Sequence, residues 1–159
     1  MGSDELDDPV RAEAWLTAHG LLGDGGRVEP RQLADLVRVR EGLRSLLAVN
    51  AGHDADPTAL DGLNDVLRKA PVIAQFDLNS TRRLVGRRNS PVDRAVAALL
   101  SATSTAVEND EWPRLKVCAR DSCRWAFYDA SRNRSGRWCS MSGCGNIVKM
   151  RRAHQARRP

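Results

Sequence analysis

The stretch whose reading decides the fold is CARDSCRWAFYDASRNRSGRWCSMSGC, residues 118 to 144. It holds the only four cysteines of the 159-residue chain, arranged as Cys118-x4-Cys123 and Cys139-x4-Cys144 with fifteen residues between the pairs. A gap of four lets two thiolates from one tight turn reach the same tetrahedral ion. The spacer is long enough for a strand, a turn and a returning strand. The pattern reads as a structural site for one zinc ion, with Cys118, Cys123, Cys139 and Cys144 as ligands. Two disulfides, or four unrelated buried thiols, are the alternatives. Disulfides persist in oxidising compartments, and no apolar N-terminal core marks the chain for export, so zinc in a cytoplasmic protein is the expectation.

Moving outward, Leu115-Lys116-Val117 reads as a strand leading into Cys118, and Trp125-Ala126-Phe127-Tyr128 as a second strand whose aromatics cover a small metal core. Trp125 and Trp138 are read as that cover, not as platforms for stacking bases. Asp129 to Gly136 is polar and should form an exposed tip, in which Asp129 and Ser131 are turn and hydrogen-bonding residues. Arg137-Trp138 returns the chain to Cys139. Cys144-Gly145-Asn146 then turns into a helix expected from about Ile147 to Arg157. Its three- and four-residue spacings put Lys149, Arg152 and Ala156 on one side, and Ile147, Met150 and Ala153 on another that can pack on the metal module. Knuckle, hairpin, knuckle and helix make a treble-clef-like or ribbon-like finger.

The net charge of +5 averages two unlike parts. From Trp112 onward 12 Lys or Arg face only Asp121 and Asp129, giving +10, whereas residues 1 to 111 carry 13 basic and 18 acidic side chains, giving −5. Five of the seven aromatics also lie in the basic part. An acidic body with a basic, aromatic-bearing end suits a polyanionic partner. No apolar run approaches the roughly 18 residues of a membrane-spanning helix, so no membrane partner is expected.

In the first 111 residues, four segments begin with a residue before a proline at the first helical position: Asp8-Pro9, Glu29-Pro30, Asp56-Pro57 and Ser90-Pro91. Glu29 is the weakest of these caps by residue type. Apolar residues follow at three- and four-residue steps: Val10, Ala14 and Trp15; Leu33, Leu36, Val37, Leu43, Leu46 and Leu47; Leu60, Leu63 and Leu67; Val92, Ala95, Val96, Leu99, Leu100 and Val107. Between the third and fourth helices, 72–77 and 82–86 read as a β-hairpin around Leu78-Asn79-Ser80-Thr81, which must lie on the helices to be stable. The expected class is α+β, mainly α: a helical domain over 1–111 and a metal module over 112–159. The lack of a long Gly/Ser linker implies that the two pack together. His19 and His53 fall at helix ends and are read as exposed capping residues. No Ser/His/Asp set, paired-carboxylate site, phosphate-binding glycine loop or His-Glu-x-x-His signature is present. Four thiolates leave a zinc ion no open position for water, so no enzyme is expected.

The run Cys118-x4-Cys123-x3-Phe127-x-Asp129-x-Ser131-Arg132-Asn133-x3-Arg137-Trp138-Cys139-x4-Cys144-Gly145-Asn146 resembles the zinc finger of the CGNR family of bacterial proteins. In that family the finger follows a mostly helical domain called ABATE, considered a stress-induced transcription regulator. The Trp15 segment, the four helices with a hairpin and the Trp112-Pro113-x-Leu115-Lys116 approach resemble that domain. The family's arginine after Cys-Gly-Asn is Ile147 here, so its contact is absent or supplied by Lys149, Arg151 or Arg152.

The resemblance and the charge pattern together imply a DNA-binding transcription regulator. Its expected nucleic-acid contacts are Arg132, Asn133, Arg134, Arg137, Asn146, Lys149, Arg151 and Arg152, and the body would sense a signal or pair two copies as a homodimer. Zinc-supported helices commonly enter the major groove, where arginine pairs with guanine. An RNA-binding module, and a protein-interaction or redox-sensing zinc module, are the alternatives.

Overall fold

The computed structural model describes residues 4–23, 25–88 and 90–156, apart from the side chain of Arg152. Each proline-led start opens a helix: α1 spans Pro9–Ala18, α2 Pro30–Asn50, α3 Pro57–Lys69 and α4 Pro91–Glu108. The Asp8 carboxylate accepts the N–H groups of Val10 and Arg11 at 2.9 and 3.1 Å, and Asp56 accepts those of Thr58 and Ala59 at 2.9 and 3.2 Å. The Ser90 hydroxyl accepts the Asp93 N–H at 3.1 Å. These bonds satisfy donors that have no partner inside the helix. At Glu29 the side chain of Gln32 accepts the Glu29 N–H at 2.9 Å, so the glutamine three residues on supports that start.

The core lies among the four helices and is built from Leu16, Leu22, Val28, Leu36, Val39, Leu63, Val66, Val92, Ala95 and Val96. α2 is the shared wall, touching α1, α3 and α4. The expected stripes hold for much of α2, α3 and the first half of α4, but α1 buries a different face. Ala12 and Leu16 point inward, while Val10, Ala14 and Trp15 face solvent. Two apolar stripes compete on this short helix. The one that continues into Leu21 and Leu22 reaches the core, and Trp15 instead stacks on His19 with ring centroids 4.0 Å apart. The stripe on α4 also fades toward its end, where Val107 is exposed.

Strands β1 (Val72–Phe76) and β2 (Arg82–Gly86) pair antiparallel with Val72 opposite Gly86. Asp77 belongs to the turn: its carboxylate accepts the N–H groups of Asn79 and Thr81 at 2.9 and 3.0 Å. The hairpin lies against α4 mainly through β2, from Gly86 at its base beside Asp93 to Arg82, which pairs with Glu108 at 3.4 Å, whereas Ile73, Phe76 and Leu78 are exposed. That base is organised by Asp93, fully buried, which accepts the Arg88 N–H at 2.8 Å and the Ser90 hydroxyl at 2.9 Å.

After α4, a short 3₁₀ turn (Trp112–Arg114) leads into β3 (Leu115–Val117), which pairs antiparallel with β4 (Ala126–Tyr128). β3 lies on α2, so the C-terminal module is packed on the helical body as expected. The Asn50 amide at the end of α2 donates to the carbonyls of Trp112 and Leu115 at 2.8 and 3.0 Å, and Arg44 donates to the Arg124 carbonyl at 2.7 Å. No helix among the described residues is long and apolar enough to cross a membrane.

The α2–α3 crossing depends on Gly42. A Cβ there would lie 2.4 Å from Leu63 Cβ and 3.0 Å from the Ala59 carbonyl oxygen. Gly42→Ala is expected to lower stability by about 1–3 kcal/mol through overpacking, against the roughly 1 kcal/mol by which alanine is the better helix former. Urea unfolding followed by far-ultraviolet circular dichroism measures the difference, and an unchanged or raised midpoint would contradict this account of the crossing.

Candidate metal centre and basic surface

The first cysteine pair brackets a knuckle in the loop that closes the β3–β4 hairpin. The Cys118 N–H donates to the Trp125 carbonyl at 2.9 Å, the Cys123 N–H donates to the Arg120 carbonyl at 2.8 Å, and Arg124 turns the chain with φ 47°. The hairpin thus surrounds the first pair, where a hairpin between the pairs was expected. The return segment Arg137-Trp138 forms no strand and is held by a single backbone bond, from the Ala119 N–H to the Arg137 carbonyl at 2.8 Å. In the second pair, Cys139 precedes and Cys144 lies within a wide turn, Met141–Gly145, which the Ser140 hydroxyl caps by accepting the Gly143 N–H at 3.1 Å. Helix α5 (Asn146–Gln155) follows without a break.

The four cysteine Sγ atoms lie within 4.8 Å of one another, with Cys123 to Cys139 at 3.8 Å and Cys139 to Cys144 at 3.6 Å. A tetrahedral ion with sulfur at about 2.3 Å requires sulfur–sulfur edges of about 3.8 Å, so the set fits such an ion; a disulfide would need about 2.05 Å. All four thiols are free. Burial, reinforced by hydrogen bonds with the other three sulfurs, pushes the Cys139 thiol up to about 12, and burial likewise raises Cys144. Burial would raise Cys123 too, but the Trp125 N–H and the neighbouring sulfurs outweigh it and lower that thiol. Without a cation the cluster cannot hold four thiolates at neutral pH. A divalent ion supplies the charge that removes the protons.

A second, unexpected clasp sits beside the cysteines. The Lys116 ammonium and the Asp129 carboxylate are both buried and pair at 2.7 Å, and Lys116 also donates to the Arg134 carbonyl. Asp129 further accepts the Ser131 N–H and hydroxyl at 3.0 and 2.6 Å and the Gly136 N–H at 2.8 Å. It thereby closes the tip as the turn residue it was expected to be. Gly136 is required at this approach, since a Cβ would stand 2.5 Å from an Asp129 oxygen. Arg114 adds bonds to the carbonyls of Asp129 and Ser131, each at 2.9 Å. Burial alone would raise the Asp129 carboxyl. Lys116 first, then the Ser131 and Gly136 donors, outweigh it and hold the group well below the ordinary carboxylate range. Local pattern signals the Asp129-x-Ser131 turn, but nothing in it signals that Lys116 is its buried partner.

The basic residues separate into groups. Arg132, Asn133 and Arg137 are exposed on the tip and the return segment, and Asn146, Lys149 and Arg151 are exposed on α5. Arg134 is instead tied to Asp110 at the end of α4, and Tyr128 donates to Glu111 beside it, so these two belong to the joint with the body. The side chain of Arg152 and all of Arg157, the expected end of the last helix, lie outside the described residues. Two expectations about cover fail. Trp125 is 63 % exposed, because its backbone serves the knuckle while its ring points outward; Trp138 alone of the pair is half-buried, against Gly145. Ile147, Met150 and Ala153 are exposed and do not pack on the finger, because α5 leaves the second knuckle and touches little beyond it.

The Asp129 pair yields a signed expectation. A carboxyl with a depressed folded-state value contributes stability above its unfolded value near 4 and loses it as the pH falls through the folded value. The tip should therefore loosen only on acidification below about pH 4. Asp129→Asn strands the Lys116 ammonium and should cost about 3–5 kcal/mol at pH 7, while the double variant Asp129→Asn, Lys116→Met should recover much of it. Denaturant unfolding of the three proteins, with Trp fluorescence as the probe, tests this; a double variant as unstable as the single one would refute the pairing account.

No curated protein matches the chain in a sequence search. Family models do match. Residues 114–158 match the CGNR zinc finger, and residues 1–121 match ABATE, described as "Putative stress-induced transcription regulator". With a four-cysteine cluster placed where the finger model matches and most of the chain covered by the other model, this chain belongs to the ABATE family and carries a C-terminal CGNR zinc finger.

Proposed function

We propose that the chain is a zinc-dependent DNA-binding transcription regulator. One structural zinc ion is held by Cys118, Cys123, Cys139 and Cys144, and the finger (112–159) with its basic helix contacts DNA. The helical body (1–111) senses a signal or pairs two copies. The observation that carries this reading is the position of α5. It leaves the cysteine cluster with Lys149 and Arg151 facing solvent, and no Asp or Glu occurs anywhere after Asp129. A helix anchored at one end by a rigid knot, free of acidic side chains and otherwise unpacked, suits insertion into a groove lined by phosphates. Arg132, Asn133, Arg137, Asn146 and Arg152 add contacts in the same reading. Arg134 has its guanidinium committed to Asp110 and must exchange that partner to reach DNA. With Ile147 in the position of the family's arginine, the helix presents an exposed aliphatic side chain there.

The exposure of Trp125 and Tyr128 supports a second reading, in which the finger stacks unpaired bases of RNA. Trp125→Ala separates the two. In the duplex reading it leaves affinity nearly unchanged, and in the single-strand reading it removes about 1–3 kcal/mol.

If about five basic groups neutralise phosphates, the logarithm of the duplex binding constant should fall with the logarithm of salt at a slope near −4.5. A salt titration that shows no duplex binding, or binding insensitive to salt, would refute the DNA reading. Zinc content should be one ion per chain. Chelation or Cys139→Ser should remove on the order of 10 kcal/mol of folding energy from the finger while the helical circular dichroism of the body largely survives; its complete collapse on chelation would show that the body cannot stand alone.

A further inference from the structure

A cleft of about 310 Å³ lies where the end of α2 meets the finger tip, walled by Gly52 and His53 on one side and by Lys116, Arg134, Ser135 and Arg137 on the other. Among the described residues no acidic side chain lines it. Two of its cations are already committed: Lys116 pairs with Asp129, and Arg134 with Asp110. Among the described residues no carboxylate pairs with Arg137, whose guanidinium lies over the Trp138 ring at 5.6 Å, and none pairs with His53. The end of α2 would bring a negative helix terminus to the cleft. Its last carbonyls are partly spent, however: Ala48 accepts the N–H groups of Ala51 and His53, each at 3.0 Å, and Val49 accepts that of Gly52 at 2.9 Å. What remains on the lining without a carboxylate partner is Arg137 on one wall and His53 on the other.

We propose that this cleft is a phosphate-binding site, with Arg137 as its cation and His53 as a hydrogen-bond donor contributed by the helical body. The guanidinium fork matches two phosphate oxygens, and the ring beneath it holds its plane. The volume exceeds that of a phosphate alone and admits an attached sugar. The phosphate is supplied either by the backbone of duplex DNA or by a free phosphorylated small molecule. With DNA as the source, the site rests on the DNA-binding reading and makes the body a second point of contact, fixing the angle at which the finger meets the duplex. With a free phosphate ester, the site stands without that reading.

The zinc-loaded full chain is titrated with a 20-base-pair duplex across salt concentrations and, separately by calorimetry, with pyrophosphate. Arg137→Gln, His53→Ala and Arg137→Lys are compared with Arg68→Gln, an exposed α3 residue, as a charge control. Zinc content and circular dichroism verify folding. If DNA supplies the phosphate, Arg137→Gln weakens duplex binding about tenfold at 0.15 M salt and makes the slope shallower by about 0.9. Arg137→Lys restores the slope, His53→Ala weakens binding, and Arg68→Gln changes nothing. If a free ester supplies it, pyrophosphate binds the wild type and is lost in Arg137→Gln, while the duplex slope is unchanged. Duplex binding with wild-type affinity and slope in Arg137→Gln and in His53→Ala, together with no pyrophosphate binding, overturns the site and leaves the DNA reading standing. Pyrophosphate binding without duplex binding does the reverse, and binding of neither overturns both.

Discussion

Four sulfur atoms confined within 4.8 Å set the terms for everything after α4. Neighbouring thiolates repel, and burial penalises each of them further, so the cluster tolerates full ionisation only around a compensating cation. The local backbone is built to bring the sulfurs to one point: a positive-φ turn at Arg124, the N–H of Cys118 on Trp125, and the Ser140 cap before the second pair. None of these features buries enough apolar surface to order forty residues unaided. Among the larger apolar side chains of the finger, Trp125, Tyr128, Met141, Ile147 and Met150 are exposed, and Trp112, Phe127 and Trp138 are only half-buried.

The Lys116–Asp129 pair performs for the tip what the sulfurs perform for the knuckles. A buried ion pair yields little net stability compared with apolar groups of the same size, but breaking it is costly, so it acts mainly to select one arrangement. Here it selects the loop in which Arg132, Asn133 and Arg137 face outward while Arg134 turns back to Asp110. Surface charge on the tip is therefore set by a buried carboxylate that never meets solvent.

Local chemistry made much of this legible in advance. Capping side chains before prolines located four helices to within a residue or two, because both features act on the first turn alone. The cysteine spacing likewise reported a short-range constraint. What escaped was decided by partners distant in the chain. On α1 the choice between the Val10–Ala14 stripe and the Ala12–Leu16 stripe was made by where Leu22 and Val28 return. Asp93, fully buried at the start of α4, owes its place to Arg88 and the hairpin base. Trp125 looked like cover for a metal core because aromatic residues are usually buried, yet the knuckle uses its carbonyl and leaves the ring outside. Periodicity correctly gave α5 an apolar side, but no periodic pattern states whether a neighbour exists to receive it.

The joint between body and finger is made in large part by side chains of α2 reaching carbonyls of the finger main chain: Arg44 to residue 124, and Asn50 to residues 112 and 115. Carbonyls are the same whatever the side chain attached. These bonds read the path of the finger's main chain and not its side chains, whereas on the body they depend on the identities of Arg44 and Asn50. Outward-facing residues such as Arg132, Asn133 and Lys149 take no part in these bonds, so the surface the finger presents can change while its mounting stays the same.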